Sequence, residues 1–223
     1  MVDVIVKAKL FDSKFYVVIL LALATGMRRS EIAGLKWKNV DLETGIINIS
    51  KQYQRTRHGL DFTKLKNRKK RKGFKLPPFA LAELRKVKAE QDRLKDILGD
   101  EYLDQDMVCC WPNGRPLKPD WISRQWRKFR EQNSLNNIRL HDIRHSHITL
   151  LTELRVSDKE IQERIGHLSK EMKDHYTHIT STMDDHVANL IQDNLFVKVD
   201  EQMKGLERQK NQDLVQQTCL NHV

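Results

Sequence analysis

Three short polar clusters in this sequence contain the side chains that cleavage of a phosphodiester bond requires. The first contains Arg28, the second His141 and Arg144, and the third His167, followed nine positions later by Tyr176. A tyrosine hydroxyl can attack phosphorus and form a covalent 3′-phosphotyrosyl link, while two guanidinium groups stabilise the charge on the nonbridging oxygens. The histidines can donate hydrogen bonds to the phosphate or transfer the tyrosine proton. We therefore predict that these five residues are catalytic.

The order and internal spacing of these clusters resemble the signature of the tyrosine recombinases, the phage integrase family. That signature has Thr-Gly-x-Arg with Glu three positions later, then His-x-x-Arg-His, then Gly-His followed by the tyrosine nucleophile. The matching residues are Thr25, Gly26, Arg28, Glu31, His141, Arg144, His145, Gly166, His167 and Tyr176. The resemblance implies a site-specific recombinase or integrase that acts through a Holliday junction, with no metal ion, ATP or other cofactor. It also implies supporting roles for Glu31 and His145.

The resemblance further implies a lysine on a β-hairpin near the first cluster, which protonates the leaving 5′ oxygen. Aligned from the preceding strand, this lysine is Lys64, which we prefer. Alignment backward from Phe74 and Leu76 places the general acid nearer Lys66, which stays as the alternative.

Positive charge is concentrated in this part of the chain. Segment 64–75 holds eight Lys or Arg in twelve positions, and the whole chain has 40 Lys and Arg against 30 Asp and Glu, a formal net charge of +10. We expect segments 60–63 and 73–76 to form the hairpin, and the basic run at its tip to neutralise DNA phosphates. The predicted DNA-contacting residues are Lys66, Arg68, Lys69, Lys70, Arg71 and Lys72.

A metal site is the alternative interpretation of the second cluster. His141 and His145 are four positions apart, so they share one face of a helix, as some metal ligands do. No second group of ligands with suitable spacing accompanies them, and we predict no metal. His147 lies on the apolar face of the same helix, and we predict a hydrogen-bonded core residue.

Periodicity predicts a mainly helical α+β domain with a small antiparallel sheet. Segment 15–24 is apolar throughout but about half as long as a bilayer span requires, which indicates a buried helix that leads into the first cluster. Ser30 is a candidate cap for a short second helix, so Arg28 is expected at a helix-turn-helix junction. The other predicted elements are strands 46–50 and 107–111 and helices 79–98, 118–132, 141–154 and 157–166.

We expect residues 1–183 to form the catalytic domain, and residues 184–223 to form a C-terminal helix that continues, beyond Lys198, as a polar tail without an apolar face. The resemblance implies that this segment is exchanged between the subunits of a homotetramer on double-stranded DNA attachment sites. Without DNA, the chain is expected to be monomeric or weakly associated. Accessory DNA-bending or excision factors are also implied. The N-terminal core-binding and arm-binding domains usual in the family do not fit before residue 15.

No signal peptide or membrane span is predicted, and Cys109, Cys110 and Cys219 lack the spacing of a zinc site or a disulfide framework. We therefore expect a protein of the bacterial cytoplasm, encoded by the host, a phage or an integrative element. Two other functions compete with recombination. One is a DNA-binding regulator without turnover, which the full set of catalytic residue types argues against. The other is a topoisomerase, which as a relaxing monomer would not need the segment 184–223.

Overall fold

The computed structural model describes residues 1–65, 71–135, 138–166 and 181–220, with the backbone alone described at 71–72, 181–183 and 213–220. These residues form the predicted α+β fold, mainly helical with small antiparallel sheets. No helix within these ranges combines the length and the hydropathy needed to cross a membrane.

The most deeply buried element is helix α2, Ser13–Thr25. It follows helix α1, Val2–Phe11, and Asp12 caps it by accepting hydrogen bonds from the amides of Lys14 at 2.8 Å and Phe15 at 2.9 Å. Every residue of α2 from Phe15 onward is buried, which confirms the predicted buried helix. Sequence periodicity did not reveal α1.

A sharp turn separates α2 from the short helix α3, Arg29–Ala33. Gly26 ends α2 in the left-handed region with φ of 62°, a conformation that glycine adopts without strain. The N-cap of α3 is Arg28 and not the predicted Ser30, because the Glu31 carboxylate accepts a hydrogen bond from the Arg28 amide at 2.8 Å. Arg28 therefore lies in the predicted helix-turn-helix junction.

Among the described residues, four strands form two antiparallel pairs, in which β2 pairs with β3 and β1 with β4. Their bounds are Ile46–Ile49 for β1, Lys51–Thr56 for β2, Gly59–Lys64 for β3 and Arg71–Lys75 for β4. The prediction that segments 60–63 and 73–76 pair with each other is therefore wrong for the described residues.

The strand pairing follows from a tight turn at residues 57–58. This turn sends β3 straight back along β2, so that Gly59 lies opposite Thr56 and Lys64 opposite Lys51. Because β1 and β2 are two halves of one extended segment, β4 then takes β1 as its partner, with Lys75 opposite Ile46.

The helices that follow lie within two residues of their predicted bounds. They are α4, Pro78–Leu98; α5, Pro119–Gln132; α6, Leu140–Glu153; and α7, Asp158–Ile165. The predicted strand at 107–111 is wrong: Met107 and Cys110 form only isolated bridges, because the chain turns again at residues 112–114.

The C-terminal part of the chain is helical. Helix α8, Ser181–Ile191, passes through a π-helical turn, Gln192–Phe196, into helix α9, Val197–Leu220. The predicted tail without an apolar face is wrong for the start of α9, where Val199 and Met203 are buried on the chain's own domain. The apolar stripe of α8 and the turn is also buried on that domain, where it comprises Val187, Ile191, Leu195 and Phe196, the last stacked on Phe79 at 5.2 Å.

Candidate active site

The turn between α2 and α3 holds Arg28 against a buried carboxylate. The Arg28 amide and Nη1 donate to the two carboxylate oxygens of Glu31, each at 2.8 Å. The Glu31 side chain is 2% exposed, whereas that of Arg28 is 32% exposed. The carboxylate thus orients the guanidinium from the protein side while part of its surface stays open to an incoming anion. Arg29 instead donates to Ser123 of α5, so the geometry favours Arg28.

Arg144 connects the three clusters. From α6, its guanidinium donates to the carbonyl oxygen of Gly26 in the first cluster, 118 positions away. It also donates, at 2.6 Å, to the carbonyl oxygen of Ile165, which directly precedes the Gly-His pair of the third cluster. The Arg144 side chain is buried. One guanidinium therefore sets the relative positions of α2, α6 and α7.

Arg28 and Arg144 bring two positive charges together. Burial and, to a smaller extent, the charge of Arg28 lower the pKa of Arg144 to about 10, while Glu31 opposes the shift. Two cations close enough to depress a pKa repel each other, and an anion bound beside them relieves that repulsion. The pair is therefore a candidate binding site for a phosphate group.

His141 and His145 lie beside this pair, on the first turns of α6. Their rings meet edge to face with centroids 4.9 Å apart. Partial burial, His145, Arg144 and Arg28 all lower the pKa of His141. An imidazole can donate a hydrogen bond to a phosphate oxygen, and in its neutral form it can also accept a proton. Within the described ranges, no three metal-ligating side chains come together.

His147 is a core residue, as predicted. It is fully buried, and its Nδ1 lies 2.7 Å from the carbonyl oxygen of Leu23. Its ring also explains the glycine at position 26, because a Cβ there would come within 2.7 Å of the imidazole. Helix α6 must approach this turn closely for Arg144 to reach the Gly26 carbonyl oxygen. That approach is possible because residue 26 has no side chain.

Lys64 ends β3 with an exposed side chain. Its carbonyl oxygen accepts a hydrogen bond from Gln52 Nε2 at 3.1 Å, and Gln52 Oε1 accepts one from the Ser30 hydroxyl at 3.3 Å. Gln52 is buried and thereby ties the end of β3 to α3, beside the first cluster. No sequence signal indicates this role, because it depends on a strand register that brings residue 52 to residue 64.

The rest of the predicted site lies outside the described residues or is described without side chains. His167, Tyr176, Lys66, Arg68, Lys69 and Lys70 lie outside them, and the side chains of Arg71 and Lys72 are not described. The described part brings together Arg28, Glu31, His141, Arg144 and His145, which stay our candidates.

Comparison with known proteins supplies the deciding observation. A sequence model of the phage integrase family matches residues 5–183, most of the chain. The chain belongs to the phage integrase family. Its relatives within the family include the ICEBs1 integrase of Bacillus subtilis strain 168, 28% identical over 166 residues, which cover 74% of this chain and 44% of that protein. The integrase of Staphylococcus phage L54a is 29% identical over 149 residues, which cover 64% of this chain and 41% of that protein.

The chain therefore spans less than half the length of these two curated integrases. Solved structures agree on the fold. The Tn1549 transposon integrase bound to transposon right-end DNA has a TM-score of 0.62 at 21% identity, covering 82% of this chain and 62% of that one. The XerA recombinase has a TM-score of 0.57 at 18% identity, covering 84% and 61%. This integrase-family chain thus shares its architecture with recombinases whose sequences have diverged widely.

Proposed function

We propose that this chain is the catalytic domain of a site-specific DNA recombinase that integrates or excises a phage or another mobile element. The observation that carries the proposal is Arg144, which bonds the turn of the first cluster to the residue that precedes the third cluster and lies beside Arg28. Two guanidinium groups beside a histidine match the charge of a phosphodiester that passes through a pentavalent transition state. Membership of the phage integrase family supports the same phosphodiester chemistry.

The proposed reaction conserves the phosphodiester bond energy. Arg28 and Arg144 bind the nonbridging oxygens, and the Tyr176 hydroxyl attacks phosphorus, so that a 3′-phosphotyrosyl bond forms and the bond to the 5′ oxygen breaks. Lys64, or Lys66, protonates the leaving 5′ oxygen, and His141 or His167 contacts the phosphate or accepts the tyrosine proton. A 5′ hydroxyl from another strand then attacks the phosphotyrosine and releases the enzyme. No metal ion or nucleotide enters these steps.

The proposed partners follow from this reaction. Exchange of four strands between two duplexes fits a homotetramer assembled on double-stranded attachment sites, with DNA-bending or excision factors as accessories. The basic run Lys66, Arg68, Lys69, Lys70, Arg71 and Lys72 would neutralise phosphates. We place the reaction in the bacterial cytoplasm, because the relatives are integrases of bacterial and phage genomes.

A pool of nicked duplexes with randomised flanks tests the function for any attachment-site sequence. The whole chain is incubated with the pool in excess chelator, and complexes that survive denaturant are recovered and sequenced. We expect covalent complexes enriched in one sequence. Enrichment that is lost in denaturant would indicate a regulator, covalent capture without sequence preference would indicate a topoisomerase, and no capture at all would refute the proposal. The enriched half-site then serves as the substrate for every variant.

The general acid is tested by removing the need for it. We expect Lys64→Ala to slow single-turnover cleavage by about 100-fold, and a bridging 5′-phosphorothiolate to restore the rate, because a sulfur leaving group needs no proton. Lys51→Ala is the matched control, since Lys51 is an exposed lysine directly opposite on β2. Rescue seen with Lys66→Ala but not with Lys64→Ala would assign the role to Lys66.

Binding of DNA is expected to take up a proton at His141. In the free chain, partial burial and then His145, Arg144 and Arg28 lower its pKa while Asp142 opposes them, and a phosphate anion beside the two arginines would raise it. The complex then binds more protons than its free components, so affinity rises as pH falls toward the pKa of His141 in the free chain, which lies below the ordinary histidine value of about 6.5.

Calorimetry of half-site binding in two buffers of different ionisation enthalpy measures that uptake. His141→Gln should reduce it, whereas His186→Gln, at an exposed position on α8, should leave it unchanged. Equal uptake by the wild-type chain and the His141→Gln variant would contradict the assignment of His141 to the phosphate site.

A further inference from the structure

A second buried arginine, Arg164 of α7, lies outside the predicted site. Its side chain is 3% exposed and makes contacts on several sides. Nη1 lies 3.3 Å from the Asp184 carboxylate of α8, and Nη2 donates to the carbonyl oxygens of Lys75 at 3.0 Å and Ala24 at 3.4 Å. The guanidinium also stacks over the ring of Phe74, 4.7 Å from its centroid. One side chain thus contacts the end of α2, strand β4 and helix α8.

Asp184 completes the link from the other side. Its second carboxylate oxygen accepts a hydrogen bond from the Lys75 amide at 2.9 Å, so the ion pair and β4 form one connected group. The neighbouring Asp185 pairs with the Lys75 ammonium at 2.7 Å, but both of those side chains are more than 40% exposed. Exposed pairs of this kind contribute little, whereas loss of one partner from a buried pair leaves an uncompensated charge.

The burial of this pair opposes ionisation on both sides. Burial lowers the pKa of Arg164 to about 10 and raises the pKa of Asp184, although each partner's charge counteracts the shift of the other. Buried ion pairs are often no more stabilising than apolar contacts of the same volume, and their best-attested use is to fix one arrangement of the elements they join. The position of Arg164 and Asp184 in the chain therefore matters more than their contribution to the free energy of unfolding.

That position brackets the third cluster. Arg164 and Asp184 lie 20 positions apart, and the chain between them contains His167 and Tyr176. The residue next to Arg164 is Ile165, whose carbonyl oxygen accepts the hydrogen bond from Arg144. The start of the segment 164–184 is therefore bonded to Arg144 through Ile165. The ion pair between Arg164 and Asp184 joins the two ends of the segment.

We propose that Arg164 and Asp184 are positioning residues that hold both ends of the Tyr176 segment at a fixed separation, in register with Arg144 and with β4. This inference rests on the recombinase function proposed above. Neither residue contacts the phosphate in this scheme. Their role is to place the nucleophile, and displacement of a reacting group by about 1 Å can cost on the order of 100-fold in rate.

The test compares cleavage with binding in Asp184→Asn and Arg164→Met, both close in size to the native residues. On the enriched half-site, we expect single-turnover cleavage at saturating DNA to fall by about 100-fold, with half-site affinity changed by less than about 3-fold. The double variant should be no slower than the slower single variant, because each change removes the same link. A bridging 5′-phosphorothiolate should restore neither rate, since the defect is not in protonation of the leaving group.

Two controls separate positioning from loss of stability. Asp185→Asn removes the exposed neighbouring pair and should cleave like the wild-type chain. Glu83→Gln perturbs a buried carboxylate that accepts from Tyr16 at 2.8 Å, Lys9 at 3.1 Å and Lys86 at 2.6 Å, where α1, α2 and α4 meet. It should lower the melting temperature as much as Asp184→Asn does, but cleave normally below that temperature.

The outcomes distinguish this inference from the function on which it rests. If the wild-type chain forms no covalent complex, the proposed function fails. If the wild-type chain cleaves and Asp184→Asn and Arg164→Met cleave at the same rate, the function stands and the positioning role is refuted. Slow cleavage by Glu83→Gln equal to that of Asp184→Asn would likewise refute it, because general destabilisation would explain both.

Discussion

Replacement of Tyr176 with phenylalanine is expected to reduce covalent attachment to DNA below detection while half-site affinity changes by less than about 2-fold. The change removes only the phenolic oxygen, which is the atom that bonds to phosphorus in the proposed reaction. The measurement is a denaturing gel of the chain with the enriched nicked half-site, beside a native gel for binding.

The other three tyrosines of the chain are poor alternatives for the nucleophile. Tyr16 is buried and donates to Glu83, and burial raises its pKa, so its phenolate is disfavoured. Burial also raises the pKa of Tyr102, and the Tyr53 ring is stacked on Phe62 at 4.6 Å. Tyr53→Phe is the matched control and should cleave normally. An adduct that persists in Tyr176→Phe would assign the nucleophile to another residue.

The second large effect is expected at Arg144. Arg144→Ala should lower single-turnover cleavage by about 1,000-fold at saturating DNA, because it removes a charge-assisted contact to the transition state and also the bonds that hold Gly26 and Ile165 together. Arg144→Lys should recover little of this, since one ammonium cannot reproduce a planar fork that bonds two carbonyls. The measurement is the rate of covalent adduct formation.

The control for Arg144 is a nearby arginine outside the proposed site. Arg29→Ala removes the same charge from a side chain that bonds Ser123 at the surface, and it should change the cleavage rate by less than about 3-fold. If Arg144→Ala is slow only at subsaturating DNA and cleaves at the wild-type rate once DNA is saturating, the residue serves binding, and its assignment to the transition state is wrong.

The sequence predicts most of the helices well, because their signals are local. Segment 15–24 is apolar over its whole length, Ser157 caps α7, and Gly166 ends it with φ of 73°. Each of these features is set by residues within a few positions of one another. The junction that presents Arg28 could be predicted for the same reason, although the capping residue was not.

The features that the sequence does not reveal depend on contacts between distant residues. The partner of β3 is decided by the turn at 57–58 and by the length of the segment that precedes it. No local sequence pattern marks Arg164 and Asp184 as partners. The chain has 40 Lys and Arg and 30 Asp and Glu, so very many ion pairs are possible from the sequence alone. Among the described side chains of α9, Val199 and Met203 are the buried apolar ones, and only the surface of α1 against which the helix packs shows which face is buried.

The π-helical turn at Gln192–Phe196 acts as a one-residue insertion in an otherwise continuous helix. Both Leu195 and Phe196 in this turn are buried. In a regular helix, side chains four positions apart drift by about 40° per step, and the extra residue offsets that drift by about 100°. The buried residues Val187, Ile191, Leu195, Val199 and Met203 therefore stay on one side from α8 into α9. The length of this short stretch, more than its composition, therefore determines which side of α9 remains on the surface.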